Sequence, residues 1–350
     1  MANVRLKASI YIATIMCVAG LLSGCGEEST SYTQTGMEEL AAYDYTAAAE
    51  DFATALEKGE DERLILRGQG MVYLATLQYD EAISSFKQAL ALSDGVPENL
   101  DYDINYYLAT AYYKSGQLTE AVSVYDAILA LKPDEENAYY LRGVVTLELG
   151  DFDKASADFK KAMDLSTDDY DLVLDIYQVM AARGYKEAGR DMLSSTIEAN
   201  PNMSDYDMGR FEYYLTNYDA AKTYLERAEK GDAALITLYL GRTYEALGDY
   251  NYAISLYNTY LDKDHNEAQI YNQMGLCQMK MERYSEALAS FQAAMNLDDI
   301  SILQTLKFNE IVAYEYMQEY KTAAMLLSDY IKTYPDDESA KREYEFLKTR

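Results

Sequence analysis

The chain has 350 residues, with 59 acidic against 30 basic side chains and a formal charge of −29 at pH 7. That charge repels a phosphate backbone and argues against a nucleic-acid partner. Apolar residues at 49% and aromatics at 13% exclude a disordered chain, while 18 glycines and 4 prolines are too few turn-formers for an all-β sandwich, so helix is the expectation.

In chain order, the first feature is an address. Arg5 and Lys7 precede an apolar run from Ile10 to Leu22, and no acidic residue comes before Glu27, the charge profile of a secretory signal. The run is shorter than the ~20 residues a membrane span needs. Leu22-Ser23-Gly24-Cys25 resembles the lipobox of bacterial lipoprotein signal peptides. The resemblance implies that residues 1–24 are removed, that Cys25 is lipidated, and that the chain is extracytoplasmic and anchored to a bacterial membrane. Residues 25–35 then form a short polar tether. Cys17 leaves with the signal and Cys25 is acylated, so Cys277 has no partner for a disulfide within the chain.

The remainder repeats. An alanine recurs at Ala48, Ala82, Ala121, Ala155, Ala188, Ala221, Ala253, Ala287 and Ala323, mostly 32 to 36 residues apart. Three residues before each stands a large side chain such as Tyr45, Tyr79 or Phe152, and four after comes another, such as Phe52, Phe86, Met192 or Leu327. These offsets share one helix face. Twelve residues before the alanine most units have a small residue, as at Gly36, Gly70, Ala109, Gly143, Gly209, Gly241 and Gly275, whereas the fifth and ninth have Ile176 and Ile311. A glycine within a helix costs about 1 kcal/mol against alanine, so its recurrence implies close helix approach. Gly116-Gln117, Gly150-Asp151 and Gly248-Asp249 supply a helix stop followed, in two of the three, by an aspartate cap. Residues 94–101, DGVPENLD, are an insertion expected to loosen the array.

The spacing, the small residue and stretches such as YLATLQYDEAISSFKQAL and LGDYNYAISLY resemble the tetratricopeptide repeat. The resemblance implies an all-α, right-handed α-solenoid of about nine helix-turn-helix repeats over residues 36–335, a capping helix at 336–350, and a concave groove lined by the first helices.

Catalytic and metal motifs are scarce. Gly68-Gln69-Gly70 lacks the third glycine and the preceding strand of a dinucleotide fingerprint. A single histidine, His265, excludes a zincin motif, and Asp262-x-Asp264-x-Asn266 starts like a calcium loop but has Glu267 and Gln273 where glycine and the bidentate glutamate belong. No catalytic residue, metal or cofactor is expected, and Cys277 reads as a buried small hydrophobe.

Tyrosine is the sharper signal, at 36 residues. By the resemblance, Tyr106, Tyr113, Tyr140, Tyr170, Tyr177, Tyr206 and Tyr213 fall on groove-facing positions, with Arg67, Arg210, Arg242 and Asn272 on the same surface. Tyrosine combines a rigid contact face with a hydrogen-bonding tip. The sequence therefore points to a non-enzymatic, membrane-anchored scaffold in the cell envelope that holds a protein or peptide segment in its groove. The alternative is a surface receptor for oligosaccharide, since tyrosine faces also stack on sugar rings. The Lys/Asn carboxylate clamp of chaperone adaptors has no match at these positions.

Overall fold

A computed structural model describes residues 31–263, 267–297 and 301–349. The signal segment, Cys25, the first half of the tether, His265 and the centre of the calcium-like stretch lie outside the described residues. Among those described are nineteen α-helices and no strand. The chain divides into two compact bodies at Met192/Leu193. In the first, α1 (Tyr32–Ala41) pairs with α2 (Tyr45–Glu57), α3 (Glu62–Ala75) with α4 (Tyr79–Ala91), α5 (Asn99–Lys114) with α6 (Leu118–Leu131), and α7 (Glu136–Glu148) with α8 (Phe152–Leu165). Then come α9 (Tyr170–Ala182) and α10 (Lys186–Ala199), with the division inside α10. The second body pairs α11 (Asp205–Tyr214) with α12 (Tyr218–Arg227), α13 (Ala233–Ala246) with α14 (Tyr250–Leu261), α15 (Ala268–Lys280) with α16 (Tyr284–Met295), and α17 (Leu303–Tyr316) with α18 (Tyr320–Thr333). A last helix, α19 (Glu338–Leu347), packs on α18. The architecture is an all-α solenoid of nine helix-turn-helix repeats and a terminal helix.

Every turn inside a repeat is made the same way. The residue after the first helix's cap is left-handed in all nine: Tyr43, Leu77, Gly116, Gly150, Gly184, Thr216, Gly248, Glu282 and Gln318. The next amide then reaches back to the first helix, as Gln78 N does to Tyr73 O at 2.8 Å and Asp151 N to Thr146 O at 3.0 Å, which satisfies a carbonyl left open by the helix end. The second helix starts at once, and the side chains of Asp44, Asp151 and Asp249 accept amides of its first turn at 3.0 to 3.2 Å.

The recurring alanine is the pivot of each pair. Ala48, Ala82, Ala121, Ala155, Ala221, Ala253, Ala287 and Ala323 are completely buried, and each donates its amide to the carbonyl four residues earlier, at the second helix's N-cap. The large residue one turn on inserts against the small residue of the first helix. At Gly241 an added Cβ would lie 2.3 Å from the ring of Tyr257, so only glycine admits that ring.

Repeat five departs from the expected register. The amide five residues after the left-handed Gly184 belongs to Gly189, which donates to Tyr185 O at 3.0 Å. Gly189 is buried, whereas Ala188 is only half-buried. Gly189, not Ala188, is therefore the pivot, Tyr177 rather than Ile176 stands at the small position, and the fully buried Leu193 rather than Met192 follows one turn later. Large and small have exchanged helices: a Cβ on Gly189 would meet Tyr177 Cδ2 at 3.0 Å. Repeat nine solves the same problem differently, with Ile311 opposite Leu327, an aliphatic side chain in place of a ring.

Two further expectations are corrected. The tether does not reach residue 35, because α1 begins at Tyr32. Glu60 explains why: its carboxylate accepts from the Ser31 hydroxyl at 2.5 Å and from the Tyr32 and Thr33 amides at 2.9 Å, supplying negative charge at the helix N-terminus. The insertion does not loosen the stack either. Asn99 to Asp101 are the first turn of α5, α4 packs on α5, and Arg63 of α3 ion-pairs Asp101 and reaches Glu98 at 3.5 Å.

Candidate interaction surface

The face formed by the first helices carries the residues that periodicity singled out, and the structure divides them. In the N-terminal body, Arg67 is half-buried, ion-paired with Asp103 of the next first helix, and its guanidinium lies 5.4 Å from the centre of the Tyr107 ring. The Tyr106 hydroxyl donates to Glu135 Oε1 at 3.2 Å, and burial together with that carboxylate raises its pKa. Tyr113 is half-buried. Tyr170, also half-buried, bonds its hydroxyl to Asp168 at 3.3 Å in the preceding turn.

Tyr140 and Tyr177 do not line an open groove, since each is 5% exposed. Tyr140 packs against Phe159 with ring centres 6.2 Å apart, so it belongs to the core of its own helix pair. Tyr177 is the inverted lock of repeat five and owes its burial to the register described above.

In the C-terminal body, Arg210 is also withdrawn from the surface. It is 5% exposed, ion-paired with Asp207 one turn earlier, and stacked 4.3 Å from the centre of the Tyr206 ring. Tyr206 is half-buried. Tyr213 is half-buried in an aromatic cluster, 5.4 Å from Tyr214, 5.7 Å from Tyr239 and 5.9 Å from Tyr218. Burial raises its hydroxyl pKa, against the lowering influence of Arg242. Asn272 accepts from Asn309 at 2.8 Å.

Arg242 is the exception among the candidates. Every other buried or half-buried arginine described has a carboxylate within 4.0 Å, namely Arg63, Arg67, Arg142, Arg190, Arg210 and Arg283. Arg242 instead donates through Nε to Gln273 Oε1 at 3.2 Å. Gln273 is oriented in turn by Glu245, both of whose carboxylate oxygens accept its amide at 3.1 Å, and Glu245 is held by the Tyr257 hydroxyl at 2.7 Å. Burial raises the pKa of Glu245, while those donors and Arg242 pull it back. A guanidinium fixed through Nε presents its two terminal nitrogens, the geometry that grips a carboxylate bidentately.

Glu245, Gln273 and Tyr257 are functional neighbours that sequence reading passed over. By the resemblance Glu245, eight residues before Ala253, also falls on a groove-facing position, and a search of such positions for any polar side chain would have found it. Cys277 lies beneath, fully buried, with its thiol 3.5 Å from Tyr250 O and its pKa raised to about 12, chiefly by burial. Burial of this kind disfavours the thiolate, the nucleophilic form, at neutral pH. Among the described residues no cluster of three or more His, Cys, Asp or Glu could hold a metal, and no helix is long and apolar enough to cross a membrane.

Three family models, each for the tetratricopeptide repeat, match residues 33–97 and 206–268, residues 73–144, and residues 136–169 and 268–300. The chain belongs to the tetratricopeptide repeat family. The stretches outside these matches contain repeat five and repeat nine, the two whose small position holds Tyr177 and Ile311. Among relatives, RNA polymerase II-associated protein 3 of Xenopus laevis is 24% identical over 215 residues, 61% of this chain and 30% of that protein. The chain thus spans under a third of that relative. A tetratricopeptide repeat protein from Parabacteroides merdae is similar at 16% identity and a TM-score of 0.45, over 81% of this chain and 97% of that one. YrrB, described as having an unusual peptide-binding site, is 20% identical with a TM-score of 0.36, over 53% of this chain and 97% of its own.

Proposed function

We propose that this tetratricopeptide protein is a non-enzymatic scaffold, anchored outside the cytoplasm through a lipid on Cys25, that holds an extended peptide segment on the first-helix face of its C-terminal body. Arg242 carries the reading. It is oriented by a chain of three hydrogen-bonded side chains while its terminal nitrogens have no carboxylate partner among the described residues. Preorganisation of this kind lowers the ordering cost of binding, and a carboxylate of the peptide is the complementary group. The neighbouring tyrosines favour peptide over sugar. Tyr213, Tyr214 and Tyr239 meet edge to face, at 73° to 77°, so these rings are packed against one another instead of forming the flat open platform on which a sugar ring stacks.

The test is an array of ten-residue peptides with and without one Asp or Glu, probed with the mature chain and with Arg242→Ala. Carboxylate-bearing peptides should be retained by the native chain and lost by the variant at an unchanged melting temperature. Equal binding of uncharged peptides, or full retention by Arg242→Ala, overturns the reading. The anchor is tested separately by incorporation of a labelled fatty acid, which Cys25→Ser should abolish; unlabelled native protein removes the membrane from the proposal.

A further inference from the structure

The insertion lengthens the connection between α4 and α5 in the N-terminal body, and the added chain forms a wall. Through Gly95 and Pro97 it closes one side of a cavity of about 220 Å³, against Leu90 at the end of α4 and Ala127, Ile128 and Leu131 at the end of α6. The polar members of the lining are engaged within the chain. Asp101 is ion-paired with Arg63 and accepts the Glu98 amide at 2.8 Å, and the Asn105 side chain donates to Asp101 O at 2.8 Å. What is left for an occupant is the apolar wall.

The mouth of the cavity is apolar and acidic at once. Val96 is 66% exposed, more than any other large apolar side chain described, and Leu131 is 58% exposed. Neighbouring apolar side chains left in water mark an interaction site, where single ones do not. Residues 93–98 also carry Asp94 and Glu98 and no basic side chain. Asp94 accepts the Val96 amide at 2.9 Å and has no ion pair among the described residues; Glu98 reaches Arg63 at 3.5 Å but stays 63% exposed. Lys132, just past α6, directs its charge to the Tyr102 ring, 3.6 Å from the centre, and to Glu135 at 3.9 Å. The volume sets the occupant's size. Small-molecule sites begin near ~300 Å³, while an apolar cavity of ~150 Å³ already takes up benzene, so about 220 Å³ fits one large apolar side chain.

We infer that this cavity is a second docking site, separate from Arg242, for a basic partner segment that inserts one large apolar side chain between the ends of α4 and α6 and sets flanking Lys or Arg residues against Asp94 and Glu98. Burial of the apolar side chain supplies affinity, and the charges supply approach and register. A second copy of this chain is a poor occupant, since it brings a net charge of −29 to an acidic mouth.

The chain has no tryptophan, so a tryptophan placed in a peptide reports its own burial. The probe is a nine-residue amidated peptide with a central tryptophan between two pairs of lysines in a Gly/Ser background; it offers Arg242 no carboxylate, so this site and the Arg242 site can fail separately. On the mature chain its emission should shift to the blue and saturate. In competition, the same peptide with alanine for tryptophan should bind roughly tenfold more weakly or worse, as loss of a buried aromatic requires, and glutamates in place of the lysines should abolish binding. Ala127→Phe, at an exposed position of the lining, should fill the cavity and weaken binding by a similar factor at an unchanged melting temperature, and Leu131→Ala should weaken it by removing part of the wall. Asp94→Asn keeps an acceptor for the Val96 amide and should reduce both affinity and its salt dependence. Equal affinity of the alanine peptide, undiminished affinity in both Ala127→Phe and Leu131→Ala, or self-association of the native chain that Ala127→Phe abolishes, overturns the assignment.

Discussion

Replacing Gly241 by alanine sets two effects of known size against each other. In an exposed helix the change would stabilise by about 1 kcal/mol, through the conformational entropy glycine loses on folding. Here the new Cβ would stand 2.3 Å from Cε1, Cζ and Oη of Tyr257, more than an ångström inside ordinary contact. Tyr257 is completely buried and its hydroxyl is bonded to Glu245 at 2.7 Å, so the ring has no free direction to move. Overpacking of this kind costs about 1 to 3 kcal/mol, and the loss of the Tyr257–Glu245 hydrogen bond adds about 1 kcal/mol. The expected net result is a destabilisation of about 2 kcal/mol, measured as a shift in the denaturation midpoint at constant m-value. A milder control lies in the same chain: at Gly36 the added Cβ would be 3.0 Å from Phe52, so Gly36→Ala should lose less. Because Tyr257 orients Glu245, and Glu245 orients Gln273 and Arg242, Gly241→Ala should also weaken capture of carboxylate-bearing peptides. A stabilised Gly241→Ala, or a larger loss at Gly36 than at Gly241, would refute the lock.

Three further outcomes follow from particular contacts. Tyr177→Ala should lose about 3 kcal/mol in urea denaturation, as core truncations of an aromatic do, where a groove-facing tyrosine would lose almost nothing. Leu77 is half exposed and held at φ 63°, so Leu77→Gly should stabilise by about 1 kcal/mol by removing the strain of a left-handed side-chain-bearing residue, and a fall in melting temperature would contradict that. The Ser31 and Thr33 donors hold the Glu60 carboxyl down at about 2, so the anchoring of α1 is complete above pH 4.5 and is lost as pH falls toward 2. Exchange of the Tyr32 and Thr33 amides should therefore be slow at pH 6 and unprotected near pH 2, and Glu60→Gln should leave them unprotected throughout.

Where periodicity succeeded and where it failed both have physical causes. Alanine pivots, the aromatic one turn later and the glycine twelve residues earlier could be read because one packing contact is repeated in nearly every pair, and each copy needs the same side-chain sizes. Repeat five failed because it meets the same steric requirement with the sizes exchanged. A glycine at the pivot does not register in a search for alanine, and Ala188, one residue away, offered a false anchor that put Tyr177 on the groove. The start of α1 was missed for a different reason: SYTQT is polar and carries no apolar stripe, and beside the local cap, in which Ser31 accepts the Gln34 amide at 3.4 Å, its anchoring comes from Glu60, 29 residues from Ser31, a distance no local pattern spans. Tyr140 shows a third limit. Spacing assigns a side chain to a helix face, but how much of that face a neighbouring ring covers depends on tertiary packing.

The same distinction separates residues that could bind from residues that only look suited to it. An arginine or tyrosine on the first-helix face is available to a partner only if its polar atoms are not already satisfied within the stack, and in this acidic chain most cations are. Arg67, Arg142 and Arg210 each hold a carboxylate of this chain, and pulling any of them outward would strand that carboxylate at a cost of several kcal/mol. Arg242 differs because the neutral Gln273 fixes its Nε, so that Glu245 acts on it through space without the direct ion pair the other arginines have. The substitution Gln273→Glu therefore probes the logic of the surface directly: it would place a carboxylate within reach of Arg242, form the ion pair that the other arginines have, and close the site without removing its cation. The new carboxylate would also face Glu245, whose two oxygens now accept the Gln273 amide at 3.1 Å, so some stability should be lost at neutral pH while peptide capture falls to the level of Arg242→Ala, whereas undiminished capture by Gln273→Glu would mean that an unpaired guanidinium is not what the partner recognises.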